Sequence, residues 1–362
     1  MPIPQLDTPA MLVDLELLRA NIAALQARLA PTGVRIRPHL KTAKSPAIAQ
    51  MLADAGMGGF CVAKLGEAEV FAAAGFSDLL ITSELASAPK LRRLAALHAA
   101  HPQIRVVVDS AAGAQVLAAA CAANPRPLEV LIDLDVGQRR CGIAPGAPAL
   151  ELARTIAQLP HLRLMGVQGY EGHLQHIADA AEQARQVDAA MAQLTATADL
   201  LRADGHAIGV VTTGGTGTCE RCAQHHGVTE VQPGSFIFLD RAYRDALGAR
   251  NPYRNALTVV ATVISRPAPQ RAVLDAGLKA LSTDMGNAEP VDLPGVRYRP
   301  GGDEHGILEW DADRAPNLAI GDQVRLIPSH IDTTVNLYDA YHVLRDGIIA
   351  ETWPITARGK IQ

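Results

Sequence analysis

The chain has 362 residues, a formal net charge of −4 and 48% hydrophobic residues, which is enough for a barrel-sized domain, a smaller partner domain and a large core. It carries no basic stripe to attract nucleic acid or an anionic membrane, no apolar run long enough to span a bilayer, and no basic-then-apolar leader in MPIPQLDTPA. Five scattered cysteines fit free thiols in a reducing cytosol better than a disulfide framework, so a cytoplasmic protein is expected.

The first periodic segment, LELLRANIAALQARL, is an amphipathic helix. Eight β-rich runs then recur: VRIRPHLK (34–41), GFCVAKL (59–65), DLLITSE (78–84), IRVVVDS (104–110), LEVLIDLDVG (128–137), RLMGVQGYEG (163–172), AIGVVTTGG (207–215) and TEVQPGSFIF (229–238). Ala/Leu-rich stretches with helical spacing separate most of them, and Gly56 and Gly205 stand where helix C-caps would. Alternating strands and helices argue a parallel sheet, and eight such units argue a closed (β/α)8 TIM-type barrel, assigned to residues 8–253. Beyond it, helical periodicity fades. ALTVVATVISRP, RAVLDAG, GILEWD, DQVRLIPSH and GIIAETW, punctuated by Pro and Gly, read as a mostly antiparallel β domain over residues 254–362. The extreme N-terminus is a candidate to join that domain.

Three patterns carry chemistry. On the first strand Arg35, Arg37, His39 and Lys41 share a face, and Lys41 ends at the C-terminal rim where barrel enzymes keep their active sites. A partly desolvated lysine near other cations is a usable amine nucleophile; a surface ion pair is the alternative. After the seventh strand, TTGGTGT (212–218) offers amides and hydroxyls to an oxyanion, with a plain flexible turn as the alternative. A sugar phosphate or a nucleotide would suit this loop, but an amine and a phosphate cradle on one rim favour pyridoxal phosphate (PLP). The same rim receives DVGQRRCG, with Arg139 and Arg140, and GYEGHLQH, with Tyr170, His173 and His176. Barrel-end packing for the tyrosine and solvated loops for the histidines stay open. In the tail, PSHIDTTVNLYD sets His330 and Asp332 two residues apart, on one face if the segment is an extended strand, and together they suit a hard or borderline divalent ion. Cys219, Cys222, His225 and His226 are too crowded for a usual structural zinc site.

RPHLKTAKSP, DVGQRRCG, GYEGHLQH, GGTGT, PGSFIFLD, DAGLKALSTDMG, DEHG and PSHIDTTVNLYD occur in one order over essentially the whole chain. In this the sequence resembles the D-threonine aldolase and D-serine dehydratase group of fold-type III, alanine racemase-like PLP enzymes. The resemblance implies a homodimer with active sites near the subunit interface. It implies that Lys41 holds PLP as a Schiff base, Tyr170 stacks on the ring and Arg140 bonds its polar edge. The phosphate would meet Thr213, Gly214, Gly215 and Thr216, with Tyr243 nearby and Thr195 a further candidate. His330 and Asp332 would bind a divalent metal, Mn²⁺ foremost and Mg²⁺, Co²⁺ or Zn²⁺ as alternatives, with His176 approaching from the barrel side as general base. Ala43 stands where relatives often carry histidine. His305 and Asp284 are further residues of interest, and Arg241 is available to an acidic substrate.

The resemblance leaves two reactions open. A cysteine at position 332 would look like the zinc-dependent dehydratases; Asp332 is harder and looks like the aldolases. The expectation is a metal-dependent D-threonine aldolase that cleaves D-β-hydroxy-α-amino acids to glycine and an aldehyde. The alternatives are a D-serine or D-threo-3-hydroxyaspartate dehydratase, or a D-3-hydroxyaspartate aldolase. A non-enzymatic PLP carrier is the remaining reading, and the extra β domain with its metal pair argues against it.

Overall fold

The computed structural model describes residues 6–314 and 316–362. In chain order the first elements are β1 (Ala10–Asp14), α1 (Leu15–Leu29), β2 (Arg35–Ile36), α2 (Pro46–Asp54), β3 (Phe60–Val62), α3 (Leu65–Ala73), β4 (Leu79–Ile81), α4 (Ala88–Ala100), β5 (Ile104–Val108), α5 (Ala111–Ala120), β6 (Leu128–Asp133), α6 (Ala147–Ala157), β7 (Leu162–Gln168), α7 (Ala180–Ala203), β8 (Val210–Thr213), α8 (Cys219–Cys222) and β9 (Glu230–Val231). There follow α9 (Arg241–Leu247), β10 (Leu257–Ala268), β11 (Arg271–Leu274), β12 (Glu289–Pro290), β13 (Arg297–Pro300), β14 (Gly306–Glu309), β15 (Gln323–Ile327), α10 (Ile331–Val335), β16 (Ala340–Arg345) and β17 (Ile348–Pro354). They form two compact units. The barrel unit holds Gln26–Lys41, Ile48–Gly234 and Gly359–Gln362; of the described residues, the sheet unit holds 6–25, Thr42–Ala47 and, within 235–358, all but 315.

In the barrel unit eight parallel strands run in the order β2-β9-β8-β7-β6-β5-β4-β3. Each β-rich run of the sequence coincides with one of them, the strand being shorter than the run; β7 starts one residue ahead of its run. The barrel is open rather than closed, and this corrects the expectation. Between β2 and β3 there is no ladder, only an isolated bridge from His39 to Cys61, flanked by Cys61 N–H to the Pro38 carbonyl (2.9 Å) and Leu40 N–H to the Cys61 carbonyl (2.8 Å). Pro38 has no N–H to donate, and the chain turns directly after the bridge.

The interior is apolar. Cys61, Leu80, Val107 and Leu131 form one buried cluster against which Met165 and Val210 pack, and β6 is buried at every position, as expected of a parallel strand covered on both faces. β7 approaches β8 so closely that a Cβ on Gly166 would lie 1.9 Å from the Val210 carbonyl oxygen. Gly56 and Gly205, both at positive φ, follow α2 and α7 as the C-cap reading expected.

At the N-terminal end of the strands the polar residues pair. Arg37, 1% exposed, binds Glu230 through Nε (2.7 Å) and Nη2 (2.9 Å), and Asp78 through Nη1 (2.8 Å). Arg105 joins Asp78 (2.7 Å) to Glu129 (2.6 Å), which also receives Arg163. Arg35 adds contacts to Asp78 and Glu230.

The sheet unit is mostly antiparallel, in the order β13-β14-β11-β10-β1-β16-β17, with β15 on β10 and β12 on β15. Its longest strand, β10, pairs with β1, β11 and β15. β1 pairs antiparallel with β10 and parallel with β16, so residues near the N-terminus do join this sheet; residues 1–5 lie outside those described. The unit resumes at Ser235, ahead of the boundary at 253 read from the sequence.

Candidate active site and metal pair

On the barrel unit, the residues expected at the rim follow the C-terminal ends of the strands. Lys41 is half-buried in the turn after the His39 bridge, and its backbone N–H donates to His39 Nδ1 (3.3 Å). The His39 ring meets the Thr82 hydroxyl (3.1 Å). After β7, Tyr170 lies beneath the Arg140 guanidinium, 5.8 Å from carbon to ring centroid, a cation–π arrangement. A Cβ on Gly172 would meet Tyr170 Cε1 at 2.6 Å, so that glycine lets the ring lie flat on the chain. His173 rests against Gly137, and His176 is exposed at the loop leading to α7.

The glycine loop after β8 closes around an oxyanion, but that oxyanion belongs to the protein. Glu171, 0% exposed, accepts from the Thr213 hydroxyl (2.8 Å), the Gly214 amide (3.3 Å), the Thr218 hydroxyl and Gln175 Nε2 (3.1 Å). The Gly215 amide donates to the Thr218 hydroxyl (3.2 Å) and the Gly217 amide to Gln175 Oε1 (2.9 Å). A Cβ on Gly215 or Gly217 would strike Gln175 at 2.6 or 2.4 Å. Thr213, Gly214 and Gly215, expected to face a phosphate, hydrogen-bond to protein groups, and Thr216 is buried as well. Thr195 lies inside α7, where its hydroxyl donates to the Met191 carbonyl (2.9 Å). Its one proton is committed to its own helix, and it is not part of this loop. Glu171 and Gln175 lie inside the GYEGHLQH motif, and only the fold turns them toward residues 213–218.

A second polar group lies at the ends of β6, β7, β8 and β9. Asp133 accepts from Gln168 Nε2 (2.8 Å), and Gln232 bridges Gln168 (3.0 Å) to Thr212 (2.8 Å). Burial, opposed by the Gln168 bond and reinforced by Glu84, pushes the Asp133 carboxyl up to about 7. Among the described residues, Glu84, Asp109 and Cys141 form a group whose ligand atoms converge within 4.8 Å. Burial and Glu84 raise the Cys141 thiol, which works against thiolate ligation, and Asp109 already accepts from the Gly142 amide (3.2 Å). Cys219 and Cys222 are buried, with thiols raised by that burial. His225 pairs with Asp188 (2.9 Å).

On the sheet unit, His330 and Asp332 are not on a strand as the two-residue spacing suggested. His330 is the extended N-cap residue of α10 (φ −140°, ψ 122°), and Asp332 sits in that helix's first turn. Strand alternation therefore does not set their relative directions; the helix start does. Asp240, 0% exposed, pins this segment: one oxygen accepts from the Tyr243 amide (2.9 Å) and the other from the Ile331 amide (3.1 Å). Burial raises its carboxyl to about 6 against those two bonds. Tyr243 is buried in α9. The Asp284 carboxylate meets His330 Nδ1 at 2.6 Å. Ala43 is buried, and its carbonyl accepts from the Tyr341 hydroxyl (2.7 Å). Arg241 begins α9 with its guanidinium against Gly286; His305 lies in the turn before β14.

These donor sets fit the two implied groups. The barrel rim supplies an amine, a flat ring under a guanidinium and a compact hydroxyl-bearing loop, which suit PLP. The sheet unit supplies an imidazole engaged at one nitrogen and a hard carboxylate, which suit a divalent cation. No helix among the described residues is long and apolar enough to cross a membrane.

The sequence profile described as "Alanine racemase, N-terminal domain" matches residues 13–242, and "Putative serine dehydratase domain" matches 256–344. The chain is 38% identical to a D-threonine aldolase from Arthrobacter sp., over 99% of this chain and 94% of that one. It superposes on the crystal structure of D-threonine aldolase from Filomicrobium marinum with a TM-score of 0.94 and 36% identity, covering 99% and 97% of the two chains. It superposes on D-threo-3-hydroxyaspartate dehydratase from Delftia sp. HT23 with a TM-score of 0.88 and 33% identity, covering 97% of each.

Proposed function

For a chain that belongs to the fold-type III PLP family of D-threonine aldolases, D-hydroxyaspartate aldolases and D-hydroxyaspartate dehydratases, we propose that the reaction is aldol cleavage of a D-β-hydroxy-α-amino acid to glycine and an aldehyde. At family level the chain is a PLP-dependent enzyme acting on D-hydroxy amino acids. The observation that favours cleavage over dehydration is the oxygen donor at Asp332. A metal-free form of the Delftia-type dehydratase carries a cysteine-to-alanine replacement, whereas this chain offers a carboxylate beside its histidine. A hard oxygen donor suits Mn²⁺, Mg²⁺ or Co²⁺, and a thiolate suits zinc.

PLP supplies an electron sink for the charge left on Cα, and the divalent cation supplies a Lewis acid for the β-hydroxyl. Lys41 holds PLP through its amine, and its half-buried position keeps that amine less hydrated than on an open surface. Tyr170 supports the ring face with Arg140 above it, and the loop of Thr213, Gly214, Gly215 and Thr216, braced by Glu171 and Gln175, receives the phosphate. His330 and Asp332 hold the cation. His176 takes the β-hydroxyl proton, histidine being suited to proton exchange near neutral pH. The Cα–Cβ electron pair stays with Cα as the aldehyde leaves, and a proton returned to Cα gives glycine. The working protein is a homodimer in a reducing cytoplasm, with Mn²⁺ as its metal.

Purified protein with PLP and Mn²⁺ should form glycine and acetaldehyde from D-threonine, and EDTA should abolish it. D-3-Hydroxyaspartate in the same assay reports substrate preference through glyoxylate release. A 2-oxo acid and ammonia as sole products would replace this reading with a dehydratase. Light scattering checks the dimer.

A further inference from the structure

The loop Ser282–Gly286 is stapled to the segment that carries His330 and Asp332. Ser282 N–H donates to the Thr334 hydroxyl (3.3 Å), and the Ser329 hydroxyl donates to the Ser282 carbonyl (3.2 Å). Asp284 follows two residues after this anchor. Its Oδ1 accepts from the Ser282 hydroxyl (2.6 Å) and the Thr333 hydroxyl (3.1 Å), which leaves Oδ2 directed at His330 Nδ1, 2.6 Å away. From the other side, Asp240 holds the Ile331 amide, so the peptide next to His330 is fixed while Asp284 fixes the ring. An incidental surface ion pair would be held at one point and would contribute little. Here the carboxylate is itself positioned by two hydroxyls, and the loop that bears it is bonded to the His330 segment through both backbone groups of Ser282.

We propose that Asp284 is a positioning residue: it holds His330 as the Nδ1–H tautomer, so that Nε2 is the atom presented to a divalent cation. The inference rests on the metal-pair reading of His330 and Asp332. A neutral imidazole has one N–H and one lone pair, and the hydrogen bond that one nitrogen makes decides which nitrogen can ligate. A carboxylate on the N–H also raises the basicity of the other nitrogen and restricts ring rotation. Asp284 and His330 are partly exposed, with side chains 44% and 28% accessible, so the fold does not depend on this pair, and its removal should act on metal affinity rather than on folding.

The test uses the full chain loaded with PLP, in three variants: Asp284→Ala, Asp284→Asn and His330→Ala. Mn²⁺ binding is read by titration calorimetry, cofactor loading by visible absorbance, and folding by thermal midpoint. Asp284→Ala should weaken Mn²⁺ binding roughly 10- to 100-fold, with cofactor absorbance and thermal midpoint preserved. Asp284→Asn should fall between it and the parent, because an amide oxygen still accepts from Nδ1–H without the charge. Without metal, long-range ¹H–¹⁵N correlation should show the parent His330 ring protonated on Nδ1. Unchanged Mn²⁺ affinity in Asp284→Ala, while His330→Ala loses it, would overturn the positioning role and leave the metal pair standing. A loss as complete as that of His330→Ala would make Asp284 a ligand, and an Nε2–H ring would contradict the tautomer; either overturns the proposal. If His330→Ala also keeps full affinity, the metal-pair reading fails first and takes the proposal with it.

Discussion

The two ends of the barrel hold their buried charges differently. At the N-terminal end, carboxylates meet guanidinium groups: Asp78, Glu129 and Glu230 against Arg35, Arg37, Arg105 and Arg163. At the C-terminal rim, Glu171 is surrounded by hydroxyl, amide and thiol donors, and Asp133 by a glutamine and another carboxylate. The first arrangement is complete in itself, a closed ion network that needs no further partner. Among the described residues the second has no guanidinium partner: donors around Glu171 shape the glycine loop, while burial and Glu84 disfavour the charged form of Asp133. One end of the same eight strands is built for permanence and the other for chemistry, as in barrels generally.

This contrast can be broken by substitution. Lys41→Ala, at the rim, should lose the visible absorbance of bound cofactor and reduce turnover by ~10³-fold or more, with folding intact by circular dichroism; an unchanged spectrum would remove Lys41 from the site. Arg37→Ala, at the closed end, should do the reverse. Leaving Glu230 and Asp78 without their buried partner should cost about 3–5 kcal/mol of unfolding free energy in urea, while the folded fraction still binds cofactor. A companion Glu230→Gln change should recover part of the loss.

Glu171→Gln replaces an acceptor with a donor that faces other donors. It should cost about 1–3 kcal/mol and loosen the 213–218 loop, seen as weaker retention of PLP on dialysis. If cofactor retention is unmoved, the carboxylate serves folding alone.

The smallest effect is in pH. Burial alone would raise Asp78, but hydrogen bonds from Arg37 and Arg35 and the charge of Arg105 hold it below the usual carboxylate range. Its stabilisation is present above the unfolded value and is lost as pH falls through the lower, folded one. Asp133 has the opposite sign. With its carboxyl raised to about 7, the folded state binds the proton more tightly than the unfolded chain, so this group subtracts stability as pH rises from roughly 4 to 7. Asp133→Asn should flatten the neutral side of the stability profile, and Asp78→Asn the acid side.

Much of the architecture was legible because periodicity is a local property. Every one of the eight β-rich runs overlaps a barrel strand, and α1 covers the segment LELLRANIAALQARL that was read as amphipathic. Closure was not legible. A two-residue β2 followed by Pro38 leaves the ladder open beside β3, and this depends on which backbone donors meet across space. β1 was missed as a strand because its partners, β10 and β16, lie hundreds of residues away in the chain. In the site, residue types pointed to Lys41, Tyr170, Arg140 and the His330–Asp332 pair. The spacing argument for that pair was wrong in its geometry, since a short helix begins between the two residues.

By itself, the sequence determined the chemical inventory: the barrel strands and most of the helices between them, and which amine, ring, loop and metal-suited pair the chain carries. These follow from residue type and near-neighbour spacing. Only the tertiary structure decided how that inventory is used. It turned Glu171 onto the loop that had looked ready for a phosphate, set Asp284 against Nδ1 of His330 and placed Asp240 on the Ile331 amide between His330 and Asp332. Those contacts join residues 42, 46 and 91 positions apart. A hydrogen bond acts over about 3 Å and is blind to separation along the chain.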